Sequence, residues 1–518
     1  MSDLVPHYET ITAAPVPVDE ARYERLVKEF ISNFKEEPTF FSRSPGRVNL
    51  MGDHIDYCYF SVLPMAIEAD VVVAVGVNDS LEINLTNTDP KFSTETIILA
   101  TDGKIISIDK ERFSWASYFR CAMIVAHNFI LENYPEIISG GTKPLKGMNM
   151  TFDGTVPTGG GLSSSAAFCV ASTLAVLRAN GIEKISKKDL TRITVVSEHY
   201  VGVNTGGMDQ CASIYGEKSK ALLIQFKPEL KGIPFEFPHI EPNEIVFLIS
   251  NSLLQANKHE TAPTNYNLRV VEVAVAAEVL AKKYNLKLAQ DSNLGTGTLR
   301  GFMDTYFTRH LHEEPWDGVN INVGINRLTR LLDLIENDYS EMEKNGFTTE
   351  EAAARLEMSQ EEFELKFLSK FPVKYTVLKL YLRSKHVFSD ALRVLQTLKI
   401  IRNFNGDTQG FLNSFGSLMD ESQISCNINN NSSTPELEKL CKIARNNGAI
   451  GSRITGAGFG GSLVHLTTTD KLAKLKSSLI TEYYQNQIPG ITQKELDEAI
   501  VVSRPAAGTC TIASNDFL

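Results

Sequence analysis

One short segment constrains the fold more than any other part of the chain, the stretch TVPTGGGLSSSAAF at positions 155–168. Three consecutive glycines run into three serines and then into small apolar residues of the kind that pack in a helix. Glycine adopts positive φ readily and lets the backbone approach a ligand closely. The first N–H groups of a helix lack intrahelical partners and lie at the positive end of its dipole. The segment therefore predicts a turn that opens a helix and binds an anion, usually a phosphate.

The two glycine clusters each allow another interpretation. No lysine follows the first cluster, so it is not a GxxxxGK[ST] loop. The cluster could also be a flexible turn that precedes a packing helix of small residues, with no ligand. A second cluster, TGAGFGG at 455–461, fits G-x-G-x-x-G formally. It precedes an alternating strand near the C-terminus, whereas a dinucleotide motif follows a first strand and opens a helix. We interpret it as a turn that shapes a site from a second domain.

Composition excludes several classes of partner. The net charge is -11 and no long run of Lys or Arg is present, which argues against nucleic acid and anionic membranes. The segment 349–363 resembles a helix-turn-helix, but it is acidic and carries only Arg355 as a base, so two capped surface helices fit it better. Seven scattered cysteines without a CxxC pair indicate a reducing compartment. With no signal peptide and no apolar run of about 18 residues, we expect a soluble cytoplasmic protein.

The order of elements predicts an α+β fold, because helices and strands come in clusters instead of strict alternation. A length of 518 residues favours two domains. We expect a flexible tail over 1–18, an N-terminal α+β domain over 19–240 with the glycine-serine turn, and a C-terminal α+β domain over 241–518. The boundary is set at a proline-rich stretch, and the second domain is expected to hold a helical insertion and the second glycine cluster.

Five stretches carry a resemblance to a known family. They are SPGRVNLMGDHIDY (44–57), PTGGGLSSSAAF (157–168), GGMDQ (206–210), TAPTNYNLRV (261–270) and SRITGAGFGGS (452–462). Three of them resemble, in order, the motifs of the kinases that phosphorylate galactose, homoserine, mevalonate and phosphomevalonate. The first stretch and GGMDQ resemble the galactokinase form, and the length and TAPTNYNLRV resemble fungal galactokinases. The resemblance extends from about residue 38 to 515.

The resemblance implies a two-lobed fold of mixed sheets and flanking helices, with the active site between the lobes. It also implies ATP-dependent phosphorylation of the C1 hydroxyl of α-D-galactose, with Mg²⁺ as cofactor and galactose and ATP as ligands. A mevalonate-type kinase is the alternative within the superfamily. Fungal relatives also include galactose- and ATP-dependent signal transducers that bind a transcriptional repressor. Because the serine turn is complete here, the resemblance favours an active kinase, and a repressor partner in addition stays open.

The same resemblance assigns roles to individual residues. Arg47 and Asp209 are implied as the catalytic pair. Galactose is implied to contact Arg47, Asp53, His54, Asp56, Gly207, Asp209 and Tyr266. Nucleotide is implied to contact Gly159, Gly160, Gly161, Ser163, Ser164, Ser165, Asn257 and Lys258. Mg²⁺ is implied to bind Ser165 and Glu198, with Ser164 as the rival serine.

Taken without the family, several of these residues have structural explanations. Arg47 could bind carbonyls in a turn, Asp209 could cap a helix, and Glu198 could lie on a solvated helix face. Asp53 is a departure from the family pattern, which usually has glutamate there. The side chain is one methylene shorter, so its carboxylate could miss a sugar hydroxyl by ~1.5 Å, about one bond length.

Overall fold

The computed structural model describes residues 3–17, 19–105, 114–200, 206–254 and 261–517, and the side chains of Glu198 and His199 lie outside the description. The strands are β1 (His7–Tyr8), β2 (Phe40–Met51), β3 (Leu63–Asn78), β4 (Glu82–Asn87), β5 (Glu95–Ile98), β6 (Gly147–Gly154), β7 (Lys220–Gln225), β8 (Lys231–Glu236), β9 (Ile245–Asn251), β10 (Gly451–Thr455), β11 (Ser462–Thr468), β12 (Ile500–Ser503) and β13 (Cys510–Ala513).

The helices follow the same chain order. They are α1 (Glu20–Phe34), α2 (Trp115–Asn133), α3 (Ser164–Ala179), α4 (Lys187–His199), α5 (Met208–Tyr215), α6 (Tyr266–Lys283), α7 (Leu299–Thr305), α8 (Ile321–Asp338), α9 (Glu341–Lys344), α10 (Thr349–Arg355), α11 (Gln360–Phe367), α12 (Leu380–Arg402), α13 (Thr408–Ile428), α14 (Pro435–Asn446), α15 (Thr469–Leu479), α16 (Gln485–Gln487) and α17 (Gln493–Ala499). Short non-α turns lie at Asp56–Cys58, Pro135–Gly141, Tyr306–His310, Ile480–Tyr484 and Asn515–Phe517.

A seven-stranded mixed sheet in the order β1-β13-β2-β3-β6-β4-β5 forms the centre of the first lobe. All of β2 is buried, because Phe41 packs with α1 on one face while the other face packs with α3. Covering both faces explains why much of β3 reads as a continuous apolar run instead of an alternating one. The catalytic candidate Arg47 therefore lies on one of the most enclosed strands of the molecule.

The second lobe is built on a four-stranded antiparallel sheet, β10-β11-β9-β12. The long helices α12 and α13 pack between this lobe and β2. The turn between β10 and β11 holds the second glycine cluster and points back toward the first lobe, as the contacts below establish. The α+β prediction is confirmed by this mixture of sheets and flanking helices.

Several local predictions are also confirmed. The helix predicted after the glycines is α3, and Gly181 lies just beyond it with a φ of 92°. The helix-turn-helix-like stretch forms α10 and α11, each opened by a capping box at Thr348 or Ser359. Among the described residues, no helix is both long and apolar enough to cross a membrane.

The predicted flexible tail over 1–18 is wrong for residues 3–17. Strand β1 pairs in parallel with β13, and Ile11, Ala14 and Val16 are buried against α1. These small apolar side chains cover a face of the sheet that α1 alone leaves open. The N-terminal segment is therefore part of the first lobe.

The predicted C-terminal domain over 241–518 is wrong at its end. Strand β13 inserts between β1 and β2 in the seven-stranded sheet, where Cys510 and Ile512 are buried. The chain thus crosses to the second lobe and returns, and a single cut at 240 does not separate the lobes. Pairing between residues so far apart in sequence leaves no local signal from which the return could be read.

Candidate active site

The glycine turn is held in a conformation that side chains rarely adopt. Gly159, Gly161 and Ser163 have φ values of 76°, 74° and 58°. The turn also sits directly on β2, since a Cβ at Gly46 would lie 2.8 Å from the Leu162 carbonyl oxygen. Arg47 N–H donates to that same oxygen at 3.1 Å. Glycines are therefore needed both for the turn and for its contact with the strand beneath it.

The three serines lie at the N-terminus of α3, where the first backbone N–H groups have no partner within the helix. Ser163 caps α3, and Ser164 and Ser165 are its first two residues. The Ser163 hydroxyl is buried and has no partner among the described residues. A Cβ at Gly159 would meet nothing within 4 Å, so the turn borders open space. Successive N–H groups in such a turn form a concave anion site, and the arrangement suits phosphate oxygens.

Arg47 connects this turn to Asp209. Its Nε donates to Asp209 Oδ1 at 2.9 Å, and its NH1 donates to the Gly161 carbonyl at 2.6 Å. The Arg47 side chain is 5 % exposed and the Asp209 side chain 19 %, so the pair opens to solvent on the aspartate side. Asp209 is the second residue of α5, which Gly207 begins with a φ of 93°. Its carboxylate pairs with Arg47 rather than capping its helix.

The second glycine cluster completes the wall from the other lobe. The Ser462 hydroxyl donates to the Gly160 carbonyl at 2.5 Å, and Asn49 N–H donates to the Thr455 hydroxyl at 2.7 Å. A Cβ at Gly456 would lie 3.1 Å from the Gly161 carbonyl oxygen. The three ordered motifs, at 44–57, 157–168 and 452–462, are thus in mutual contact, although they lie far apart in the chain.

Residues 52–56 follow β2 and are called the sugar loop below, after the role that the resemblance implies for them. His54 has a φ of 62°, and its Nε2–H donates to the Ala457 carbonyl at 2.7 Å. Its Nδ1 then accepts from the Tyr57 hydroxyl at 2.9 Å. Burial lowers the pKa of His54 to about 3, so the imidazole is neutral and both ring nitrogens are engaged within the protein.

The two aspartates of the sugar loop differ in environment. Asp53 is 2 % exposed, with Arg453 NH1 2.6 Å from its Oδ2. Burial raises the pKa of Asp53, and the guanidinium of Arg453 opposes that rise. Asp56 is only half-buried, and burial followed by the charge of Asp209 raises its pKa to about 6. Asp56 therefore shares one region with Asp209, while Asp53 is directed inward.

Aromatic rings close the same side of the cleft. The Tyr266 ring, at the start of α6, lies 5.6 Å from the His54 ring and 5.8 Å from the Tyr57 ring. The His54 ring also contacts Phe459 of the second glycine cluster at 6.0 Å. Tyr266 thus reaches the sugar loop from a distant part of the chain.

Three of the predicted site residues cannot be placed. Asn257 and Lys258 lie outside the described residues. Glu198 lies in α4, but its side chain is outside the description. Sequence reasoning also missed two residues that bear on the loop, Arg453 and His386. Arg453 could have been noticed inside the motif SRITGAGFGGS, whereas nothing in the sequence around His386 connects it to residue 53.

Three segments match known family models. Residues 28–77 match the galactokinase galactose-binding signature. Residues 121–217 match the N-terminal domain of GHMP kinases, and residues 402–486 match the GHMP kinase C-terminal model. The matched segments contain the first motif, the glycine turn with Asp209, and the second glycine cluster.

Whole-chain relatives are similar along nearly their full length. The chain is 58 % identical to a galactokinase of Schizosaccharomyces pombe over 516 residues, 99 % of both chains. It is 48 % identical to a galactokinase of Saccharomyces cerevisiae, covering 96 % of this chain and 95 % of the relative. In fold it resembles Lactococcus lactis galactokinase complexed with galactose, with a TM-score of 0.63 at 20 % identity over 94 % of this chain and 98 % of the other. Methanococcus jannaschii mevalonate kinase gives a TM-score of 0.52 at 16 % identity, covering 90 % of this chain and 99 % of the other.

Proposed function

This chain belongs to the galactokinase family of the GHMP kinases, and from that membership we infer that it transfers the γ-phosphoryl group of ATP to the C1 hydroxyl of galactose. One observation carries the assignment to this site. Arg47 joins the Asp209 carboxylate to the phosphate turn through two hydrogen bonds. A proton acceptor, a cation and an anion-binding turn therefore meet in a single cleft.

These contacts suggest a separate role for the turn, for Asp209 and for Arg47. Phosphoryl transfer asks the protein mainly for positioning and charge stabilisation. The N–H groups of the turn at Gly159–Ser165 hold the phosphates. The Asp209 carboxylate accepts the proton of the C1 hydroxyl or orients it, and the Arg47 guanidinium stabilises the negative charge on the transferring group.

We place galactose against Arg47, Asp56, Gly207, Asp209 and Tyr266. Asp56 and Asp209 offer carboxylate oxygens that accept from sugar hydroxyls, and the Tyr266 ring lies 5.6 Å from the His54 ring of the same loop. Asp53 and His54 belong to the same loop, but their polar atoms already bond to the protein. Their contribution is to the shape of the site.

We also propose that the site binds Mg²⁺ through Ser165 and Glu198, with Ser164 as the alternative serine ligand. Hydroxyl and carboxylate oxygens are the donors that Mg²⁺ prefers, and it is commonly held by one or two protein groups together with substrate phosphates and water. The serine hydroxyls at the start of α3 fit that description. When bound, the metal would neutralise charge on the β- and γ-phosphates.

A reducing, cytoplasmic location is also part of the proposal. All seven cysteines are free and buried, which is the usual state of cysteines in a reducing compartment.

The test is an activity assay on the purified chain with ATP and Mg²⁺. We expect ADP release with galactose and none with mevalonate above background. Asp209→Asn is the matched control, because it keeps the size of the side chain and removes the proton acceptor. ADP release with mevalonate but not galactose would overturn the substrate. The repressor-binding role stays a prediction: ligand-dependent capture of a repressor without turnover would favour it.

A further inference from the structure

A buried ion pair fastens the sugar loop to the second glycine cluster. Arg453 NH1 lies 2.6 Å from Asp53 Oδ2, and Gly456 N–H donates to Asp53 Oδ1 at 3.0 Å. The Arg453 side chain is fully buried and that of Asp53 is 2 % exposed. Both carboxylate oxygens therefore face the protein, Oδ1 as a hydrogen-bond acceptor and Oδ2 as the anion of an ion pair.

Arg453 reaches beyond Asp53 to two other elements. Its NH1 donates to the Asn49 carbonyl at 3.0 Å, and its Nε donates to the Ser422 hydroxyl at 3.1 Å. Ser422 in turn donates to Asp390 Oδ1 at 2.6 Å. One guanidinium thus joins β2, the sugar loop and α13, with α12 attached through Asp390.

The backbone of the loop is fixed independently. His386 Nε2–H donates to the Asp53 carbonyl at 2.9 Å, and His386 Nδ1 bonds to the Ser425 hydroxyl at 3.0 Å. Two residues before Asp56, the His54 ring bonds to Ala457. The loop that carries Asp56 is therefore attached to α12 at Asp53 and to the second glycine cluster at His54.

The buried charges of this cluster are paired. Asp53 and Asp390 face Arg453 and Arg393, since Arg453 NH2 lies 3.8 Å and Arg393 NH1 3.3 Å from the Asp390 carboxylate. A third, exposed carboxylate, Glu421, lies 3.6 Å from Arg393 Nε. Each of the two buried carboxylates thus has a guanidinium beside it. Such a cluster suits a structural connection better than a binding surface.

We propose that Arg453 and Asp53 form a positioning pair for the kinase reaction, holding the sugar loop in register with the turn that carries Gly456 and abuts Gly161. The proposal rests on the galactokinase function inferred above. It assigns Asp53 a role different from sugar binding, in keeping with its shorter side chain. A carboxylate withdrawn by one methylene pairs with Arg453, while Asp56 remains the acidic group of the loop that faces the cleft.

The test uses Asp53→Asn, which keeps the side-chain shape and an acceptor for Gly456 N–H. We measure kcat/KM for galactose and for four analogues, each lacking the hydroxyl at C2, C3, C4 or C6. The loss expected with galactose is about 10- to 100-fold, because a misplacement of ~1 Å costs up to ~100-fold. We expect the same factor, within about twofold, for every analogue, since a positioning group touches no single hydroxyl.

Direct sugar binding gives a different pattern. If Asp53 bonded one hydroxyl, the analogue lacking that hydroxyl would be insensitive to the substitution, and this result would overturn the proposal. Unchanged kcat/KM with all five sugars would overturn it as well. Failure of the wild-type protein to turn over galactose is a separate outcome and would count against the proposed function itself.

Two further variants separate positioning from general destabilisation. Asp70→Asn breaks another buried Asp–Arg contact, with Arg43 and Arg22, so we expect it to lower thermal stability while kcat/KM of the folded protein stays within about twofold of wild type. Arg453→Lys keeps the charge and serves as the second variant if Asp53→Asn does not fold. It should also lower kcat/KM by a uniform factor, and a loss confined to one analogue would contradict the proposal.

Discussion

Arg43 and Arg47 lie four positions apart on β2, and both are buried, but the charges around them differ. Arg43 shares Asp70 with Arg22, which also bonds to Asp153. Two cations therefore meet two anions, and Arg43 NH1 donates to the Ala507 and Gly508 carbonyls.

The cluster around Arg47 is unbalanced. Arg47 bonds to Asp209, and Asp56 is close enough to Asp209 for the like charge to raise its pKa. One cation thus faces two anions in a region that opens to solvent. We infer that the balanced, closed cluster around Arg43 stabilises the fold. The excess negative charge around Arg47 lies where we expect the hydroxyl groups of the sugar to bind.

The largest effect should come from Asp209→Asn, which removes the acceptor from the unbalanced cluster. We expect kcat to fall by about 100- to 10,000-fold, the range for loss of a general base. Calorimetric titration should still detect galactose binding, because the amide retains an acceptor oxygen. Near-normal kcat in this variant would remove Asp209 from the proton-accepting role.

The next largest effect is a loss of stability when the charge balance around Arg43 is broken. Asp70→Asn should lower the free energy of unfolding by about 3–5 kcal/mol, the cost of leaving the buried Arg43 guanidinium without a charged partner. Denaturant unfolding measures this. Burial would raise the pKa of Asp70, but Arg43 and Arg22 outweigh it and lower the pKa below the usual 3.8. The deficit should therefore be full above pH ~4 and shrink as the pH falls further.

For Asp56→Asn we expect a smaller change in the free energy of unfolding, and in the opposite direction, toward greater stability. With a pKa raised from 3.8 to about 6, the protonated carboxyl stabilises the fold at low pH, and this contribution is lost as the pH rises through ~6. Since Asp56 is partly exposed, the variant should be more stable than wild type at pH 8 by about 1–2 kcal/mol, and the gain should vanish toward pH 4.

The same variant separates stability from function. Loss of an anionic acceptor should raise the KM for galactose while the protein becomes more stable at pH 8, because the active site holds its like charges at the expense of stability. Thermal melts and initial rates over pH 5–8 check both expectations. A variant less stable than wild type at pH 8 would show that the charges around Arg47 are not in conflict.

The smallest effect should come from Gly160→Leu in the phosphate turn. A Cβ there would lie 3.1 Å from Asn251 Nδ2 and 3.6 Å from Pro157, so a larger side chain must displace the turn. We expect the KM for ATP to rise about tenfold, equivalent to ~1.4 kcal/mol, with a smaller change for galactose. Steady-state rates with each substrate varied in turn measure this, and the reverse pattern would mean that the two sites have been exchanged.

The sequence was most informative where the chemistry is local. The glycine-serine turn predicted its own helix, because positive φ and free N–H groups follow from the residues themselves. Arg47 and Asp209 needed the family resemblance, since a turn arginine and a helix-start aspartate have ordinary structural explanations. Their pairing joins residues on separate elements, which no spacing along the chain reveals.

The inward orientation of Asp53 could not be predicted either. It depends on Arg453 and on Gly456, some 400 positions away, and on His386 from a third part of the chain. The N-terminal segment was misread for a related reason. Its apolar residues are short and scattered, and they are buried only because β13 returns from the second lobe to pair with β1.

The most direct test of the cleft is a crystal structure of the protein with galactose and a non-hydrolysable ATP analogue. We predict that the anomeric oxygen lies within hydrogen-bond reach of Asp209 and about 3–3.5 Å from the γ-phosphorus, the separation of a reactive geometry, with the phosphates on the turn at Gly159–Ser165. Galactose bound away from Asp209, or phosphates held by a different turn, would contradict the account.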